Sequence, residues 1–239
     1  MKAFKVDLDS RENQSILKPS TRCSNNQVHQ INEAAKKIYE LIKKAKHSND
    51  DIILNHNEIK EAFFSPFKPQ LKNAQVFLSH SHADINKALE VKNYLENQIK
   101  RKVFIDSLFW DYKDDVLNKL AKYDDISRIE DAFTLILRES LQDMIKKCPY
   151  FVFLQSKNSV SNQGLSRNQD LLKITYSAWI YEELKIANTL IADTTIKESH
   201  IKAMRISYDI TNLLGRFKPI SLDSLCKKIA FNLITKDAK

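Results

Sequence analysis

With 239 residues, 43% of them hydrophobic, the chain can bury the core of one large domain or of a domain with an extension, and its composition is not that of a disordered protein. Its only two glycines, Gly164 and Gly215, exclude a G-x-G-x-x-G turn and a G-x-x-x-x-G-K-[ST] loop, so any nucleotide is held without a glycine cradle. The net charge of +8 reads as a solvated, lysine-rich surface, with nucleic acid, an acidic surface or phosphate-bearing small ligands as the sharper alternatives; the lysines are spread along the chain with no interleaved aromatics, which weakens the nucleic-acid case.

Three widely spaced cysteines, Cys23, Cys148 and Cys226, fit reduced thiols better than disulfides or a zinc site. No run reaches the ~18 apolar residues that span a bilayer. The start, MKAFKVDLDSRENQS, lacks the apolar core of a secretion signal. The expectation is a soluble, cytoplasmic protein with no membrane partner.

In chain order, residues 1–24 are polar and read as loosely ordered, apart from a short strand at Phe4–Leu8. A helix is expected over Asn25–Lys46, with Ile31, Ala34, Ala35, Ile38, Leu41 and Ile42 on its apolar stripe. A second helical piece covers Asp51–Phe64. Ser65-Pro66-Phe67-Lys68-Pro69 then reads as a linker, because proline cannot continue a helix. This divides the chain into an N-terminal helical extension, 1–70, and a main domain, 71–239.

The main domain is organised around Gln75–Asp106, a strand–helix–strand unit. Val76, Phe77 and Leu78 form a strand buried on both faces. It breaks at Ser79-His80-Ser81-His82, and Ser81 and Asp84 have the S-x-x-D spacing of a helix start. Ile85, Ala88, Leu89, Leu95 and Ile99 recur at helical spacing, interrupted at Lys92. Lys100-Arg101-Lys102 closes the helix where cations oppose its dipole, and Val103, Phe104 and Ile105 form the next strand. Two parallel strands joined by a helix place ligands beyond their carboxyl ends, so Ser79–His82 and Asp106–Trp110 should flank one crevice.

Beyond Trp110 lie an acidic stretch, 111–125, and a long amphipathic helix, Ser127–Cys148. Tyr150–Leu154 is a third buried strand, ending at Gln155-Ser156. Lys157–Gln169 has loop composition. A helix follows at Ser177–Leu190, then an edge strand in which Ile206, Tyr208 and Ile210 alternate, and a final amphipathic helix at Ser221–Ile234 with Leu222, Leu225, Ile229 and Leu233 inward. Alternation of strand and helix predicts a parallel α/β domain.

On the helix 177–190, Ile180, Leu184, Ala187 and Ile191 form one apolar row. Glu183 interrupts the adjacent row of Trp179, Ile186 and Leu190, whereas Glu182 falls on a solvated face. A carboxylate at the edge of an apolar face loses hydration unless it is paired, and such carboxylates are over-represented at functional sites. A boundary glutamate bridged to a lysine, and a tryptophan in plain core packing, are the structural alternatives.

VFLSHSHAD, VFID, YFVFLQS and SAWIYEEL, in that order over roughly residues 74–235, resemble the bacterial branch of the Toll/interleukin-1 receptor (TIR) domain family. The first stretch is similar to the family's opening box and the last to its S-x-W-x-x-x-E-L helix. The resemblance implies a flavodoxin-like parallel sheet with helices on both faces. It implies NAD glycohydrolase activity, with release of nicotinamide and of ADP-ribose or a cyclised form, and a role in bacterial defence. By the same resemblance Glu183 is catalytic, NAD is substrate rather than cofactor, and the loop 107–113 gates the site and joins subunits in an active homo-oligomer. The sequence departs from the family's pattern in a second histidine, His82, in long segments between Trp110 and Tyr150, and in an extended loop before the glutamate helix.

The chemistry fits the residues. Nicotinamide leaves neutral from an oxocarbenium-like state, so one carboxylate near the ribose suffices. Ser79, His80, Ser81 and His82 stand where a helix start would meet a pyrophosphate. Asp106 and Ser156 end the neighbouring strands, and Trp110 or Trp179 offers a ring for stacking. His80, His82 and Asp84 could chelate a metal, but no third strong ligand is evident, and no metal or cofactor is expected. The cysteines are poorly placed for a Cys–His nucleophile. Two other readings stand beside the hydrolase: a non-enzymatic TIR module that binds another TIR domain or effector protein, and a nucleoside deoxyribosyltransferase-like enzyme. Glu183 separates the hydrolase from the interaction module, since an adaptor needs no carboxylate on that row.

Overall fold

A computed structural model of the chain describes residues 1–17, 26–45, 55–64, 74–105, 116–118, 121, 126–163, 172–191 and 207–237. The chain divides into two compact units. Met1–Thr21, Ala74–Asp106 and Ile145–Lys239 form one, and Arg22–Asn73 with Ser107–Met144 form the other.

The first unit is built on strands β1 (Lys2–Asp7), β2 (Ala74–Ser79), β3 (Lys102–Ile105), β4 (Tyr150–Gln155) and a short β8 (Lys218–Pro219). They form one sheet in the order β3-β2-β4-β1-β8, and every pairing is parallel. Val76–Ser79 of β2 and Tyr150–Leu154 of β4 are buried without a break. Continuous apolar runs of this kind belong to parallel strands covered on both faces. The register pairs Phe77 with both Phe104 and Phe151, and the rings meet accordingly: centroids lie 5.7 Å and 5.6 Å apart, the second pair stacked with nearly parallel planes.

Helices cover both faces. Phe4 and Lys5 are neighbours on β1 and so point to opposite sides of the sheet. Above the Phe4 ring, 5.3 Å from its centroid, is the Lys228 ammonium of a C-terminal helix, Leu222–Asp237, which packs against the helix Ile85–Ile99. On the other side the Lys5 ammonium donates to the carbonyl of Leu214, in the short helix Thr211–Gly215. Phe217 packs edge-on against Phe151 on that side, and the helix Ala178–Ile191 lies against β1. In chain order the helices are α1 (Arg11–Ile16), α2 (Asn26–Ala45), α3 (His56–Phe64), α4 (Ile85–Ile99), α5 (Ile126–Lys147), α6 (Ala178–Ile191), α7 (Thr211–Gly215) and α8 (Leu222–Asp237). This is the α/β, flavodoxin-like architecture that the sequence predicts.

The start of the chain is where the structure departs from the sequence reading. Composition predicts loose residues 1–24, with a strand at Phe4–Leu8, in an extension ending at 70. Instead β1 runs from Lys2 to Asp7 as an inner strand, in register with β4 from Lys2↔Tyr150 to Asp7↔Gln155. Phe4, Val6 and Leu8 are buried on one face, and on the other the aliphatic stem of Lys5 carries its amine to the Leu214 carbonyl. The boundary also differs: α2 and α3 group with residues 107–144, and the first 21 residues belong with the sheet.

In α4, Ala88, Val91, Leu95 and Ile99 face inward. The polar interruption at Lys92 is an ion pair with Glu96 at 2.6 Å, one turn on. Lys100 ends the helix in the left-handed conformation, φ 53°, with its N–H on Glu96 O. A second, antiparallel sheet has the order β5 (Ser161–Gln163), β6 (Leu172–Thr175), β7 (Tyr208–Asp209). The expected edge strand near 206–210 is therefore short β7, at the edge of this small sheet and outside the parallel one; Ile206 lies outside the described residues. The loop 157–169 contributes β5.

The second unit comprises α2, α3 and most of α5. Ala35 and Ile38 of α2, Ile59 and Phe63 of α3, and Phe133, Ile136, Leu137 and Leu141 of α5 are buried. Phe63 meets Phe133 edge-on at 5.6 Å. Lys60 pairs with Asp143 at 3.0 Å. Helices α2 and α5 match their expected spans to within one residue at each end. Among the described residues no helix is long and apolar enough to cross a membrane.

Candidate functional site

From β2 the chain passes to β3 on one side of the sheet, while β4 lies on the other. The carboxyl ends of β2 and β4 thus flank a topological switch point, where open α/β sheets bind ligands. Ser79 ends β2, beside Phe153 of β4. Ser79 and His80 are buried, Ser81 is half-buried, and His82 is exposed at the start of a 3₁₀ turn, His82–Asp84. His80 Nδ1 lies 2.7 Å from the Ser81 carbonyl. A carbonyl can only accept, so Nδ1 carries a proton.

The S-x-x-D spacing does not cap the helix as the sequence reading expects. Neither Ser81 nor Asp84 makes a side-chain capping bond. Asp84 is buried and turns instead to the loop after β4. Its Oδ2 accepts from the Ser156 hydroxyl, and its Oδ1 accepts from Asn158 Nδ2 at 2.8 Å. Ser156 Oγ in turn accepts the N–H groups of Asn158 at 3.0 Å and Ser159 at 3.2 Å, and Ser159 Oγ accepts the Ser156 N–H at 2.8 Å. Both loops at the switch point are held by one buried carboxylate. The sequence points to Ser156, gives Asp84 only local roles, and does not single out Asn158 or Ser159. The signal available was a polar cluster, Gln155 to Ser159, directly after a fully apolar strand.

Glu183 has no solvent exposure. The helical spacing predicts it at the edge of an apolar face; it is wholly enclosed, with Ile180, Leu184, Ile186 and Ala187 buried on the same helix. Ser177 starts α6: its Oγ accepts the Ile180 N–H at 3.2 Å, which gives the S-x-W motif a capping serine. Trp179, one turn before Glu183, and Glu182 are half-buried. Asn188 ties α6 to α7 by donating to the carbonyls of Leu184 at 2.8 Å and Leu213 at 3.2 Å.

Ser79, Ser81, Asp84 and Ser156 are thus gathered at the ends of β2 and β4, while Glu183 and Trp179 stand on α6, which packs against β1, the strand next to β4. Asp106, Trp110 and the loop 107–113 lie outside the described residues.

His80, His82 and Asp84 do not converge. The Asp84 carboxylate is taken by Ser156 and Asn158, and His82 is exposed. Among the described residues no group of three or more His, Cys, Asp or Glu side chains could hold a metal ion. Burial pushes the Cys148 thiol up to about 12 and the Cys226 thiol up to about 11, which leaves both protonated and poor nucleophiles. No protein-family model, curated protein or solved structure matches this chain.

Proposed function

We propose that the protein is a TIR-like NAD glycohydrolase in which Glu183 is the catalytic carboxylate. The observation that carries this reading is the complete burial of Glu183 on a helix where Ile180, Leu184, Ile186 and Ala187 are buried with it. Enclosing an acid costs free energy that a leucine would not, and acids retained in such places concentrate at functional sites. The sheet order, with its switch point between β2 and β4, and the resemblance of SAWIYEEL to the family's glutamate helix support the same reading.

In this mechanism the bond between nicotinamide N1 and ribose C1′ breaks, and its electron pair leaves with the nicotinamide, which departs neutral. The ribose becomes oxocarbenium-like, and the carboxylate of Glu183 stabilises that positive charge and hydrogen-bonds a ribose hydroxyl. Water adds to C1′ and releases a proton, giving ADP-ribose; attack by the adenine of the same molecule would give a cyclised product. Ser79, His80, Ser81 and Ser156 are assigned to substrate binding at the strand ends. Self-association through TIR surfaces completes the site, and bacterial defence is the setting that the resemblance suggests.

The test is incubation with NAD at high protein concentration, with chromatographic detection of nicotinamide and ADP-ribose. Glu183→Ala and Glu183→Gln should each cut nicotinamide release by on the order of 10²–10³-fold or more. Release at the wild-type rate by either variant excludes the assignment. No release by the wild type favours the non-enzymatic interaction module.

A further inference from the structure

A cleft of about 450 Å³ opens at the carboxyl ends of β1, β4 and β8, where Asp7, Gln155 and Pro219 end or border the strands. Its size suits a small metabolite. Lys5, from β1, and Lys173, from β6, both line it. Among the described residues, neither ammonium has a carboxylate at ion-pair distance. Lys5 spends one of its three donors on the Leu214 carbonyl, at 3.2 Å. Its pKa is held below the usual lysine range, first by burial and then by the charge of Lys173. Two cations that repel each other in a half-buried cleft, neither of them ion-paired among the described residues, are an arrangement that an anionic ligand relieves.

The wall of the cleft is fixed. Asn13 is buried; its Nδ2 donates to Asp7 O at 2.7 Å and its Oδ1 accepts the Leu222 N–H at 2.9 Å, so one side chain joins β1, α1 and the first turn of α8. Asp7 and Glu12 also line the cleft. Carboxylates accept hydrogen bonds only, and the hydroxyls of a polyol are the neutral donors that suit them.

We propose that this cleft binds a sugar phosphate, with the phosphate on Lys5 and Lys173 and the sugar hydroxyls toward Asp7 and Glu12. The site does not depend on the Glu183 reading, and Glu183 is not among the residues that line the cleft.

Calorimetric titration of the full chain with ribose 5-phosphate, with inorganic phosphate and with ribose tests this. Ribose 5-phosphate should bind, and more tightly than either comparator. Lys5→Met and Lys173→Met should each weaken it by about tenfold or more, the loss of one charge-assisted hydrogen bond. Glu183→Ala should leave it unchanged, which separates this site from the proposed glycohydrolase centre. Lys173→Arg, which keeps the charge, should retain binding and guards against a fold defect in the methionine variants. No binding of ribose 5-phosphate, binding that is indifferent to both lysine substitutions, or equal binding of inorganic phosphate overturns the proposal.

Discussion

The Asp84 carboxylate accepts a hydrogen bond from the hydroxyl of Ser156, 72 residues further along the chain, and so ties the loop after β2 to the loop after β4. Both groups are buried, and Asn158 supplies a second donor to the same carboxylate. Replacing Asp84 leaves the buried Ser156 hydroxyl, as well as the amide of the more exposed Asn158, without its acceptor. Asp84→Ala should therefore destabilise the protein by about 2–3 kcal/mol, and Asp84→Asn by about half that, since the amide oxygen can still accept from Ser156 while its NH₂ faces the Asn158 donor. Urea unfolding checks this: the midpoint should fall at constant slope. A loss below about 0.5 kcal/mol for the alanine variant would mean that the bond does not hold the loops.

A pH-dependent contribution comes from Asp9. Its Oδ2 accepts the Lys157 N–H at 2.9 Å, and its Oδ1 pairs with Lys87 at 3.3 Å. The Lys157 backbone bond holds its carboxyl below the ordinary value of 3.8; burial opposes that bond, and the Lys87 ammonium adds to the lowering. Because the folded-state value is the lower one, the unfolded chain binds the proton more tightly. The stabilisation is complete above pH 3.8 and is lost as pH falls from there through the folded value. Wild type should thus be more stable than Asp9→Ala at neutral pH, with the gap closing as pH falls below 3.8. Urea midpoints of the two proteins across that range provide the measurement; a gap that persists unchanged would rule out the linkage.

Much of the fold is legible in the sequence, and the failures share a cause. The unit β2–α4–β3 is readable because unbroken apolar runs and a helical stripe lie next to each other, bounded by polar residues. Helices α2 and α5 are readable for the same reason. β1 is visible as a short alternation, but nothing local says that it pairs with β4, whose partner Tyr150 lies 148 positions after Lys2, or that Lys5 is accommodated by reaching Leu214. The site divides similarly. Glu183 stands out because one charge interrupts an apolar row. Asp84 does not, because S-x-x-D has a sufficient local explanation at a helix start, and its actual partners are 72 and 74 positions away.

Lys100 is the one described non-glycine residue with a positive φ, 53°. A Cβ in the left-handed region costs roughly 1–2 kcal/mol. Glycine removes that cost but gives the unfolded chain more freedom, and loss of an ammionium-bearing side chain near the helix C-terminus forfeits a few tenths of a kcal/mol. Lys100→Gly should still stabilise the protein by about 0.5 kcal/mol, whereas Lys100→Val, β-branched in the same conformation, should destabilise it. Thermal melts of the two variants against wild type decide this, and a glycine variant less stable than the valine one would contradict it.

Ser79 offers the sharpest separation of folding from function. It ends β2 at the switch point with no solvent exposure, and among the described residues its Oγ has no hydrogen-bond partner. A buried hydroxyl without a partner costs about 1–3 kcal/mol relative to an apolar group of similar shape. Ser79→Ala should accordingly leave stability unchanged or raise it by up to about 1 kcal/mol. Ser156→Ala, which removes the donor to Asp84 and the acceptor for two loop N–H groups, should lower it. If Ser79 serves the proposed NAD site, the stable alanine variant should nonetheless release nicotinamide more slowly than wild type. Denaturant midpoints and nicotinamide release, read on the same Ser79→Ala preparation, distinguish the cases: unchanged release removes Ser79 from the site, and a marked loss of stability shows that its hydroxyl supports the fold.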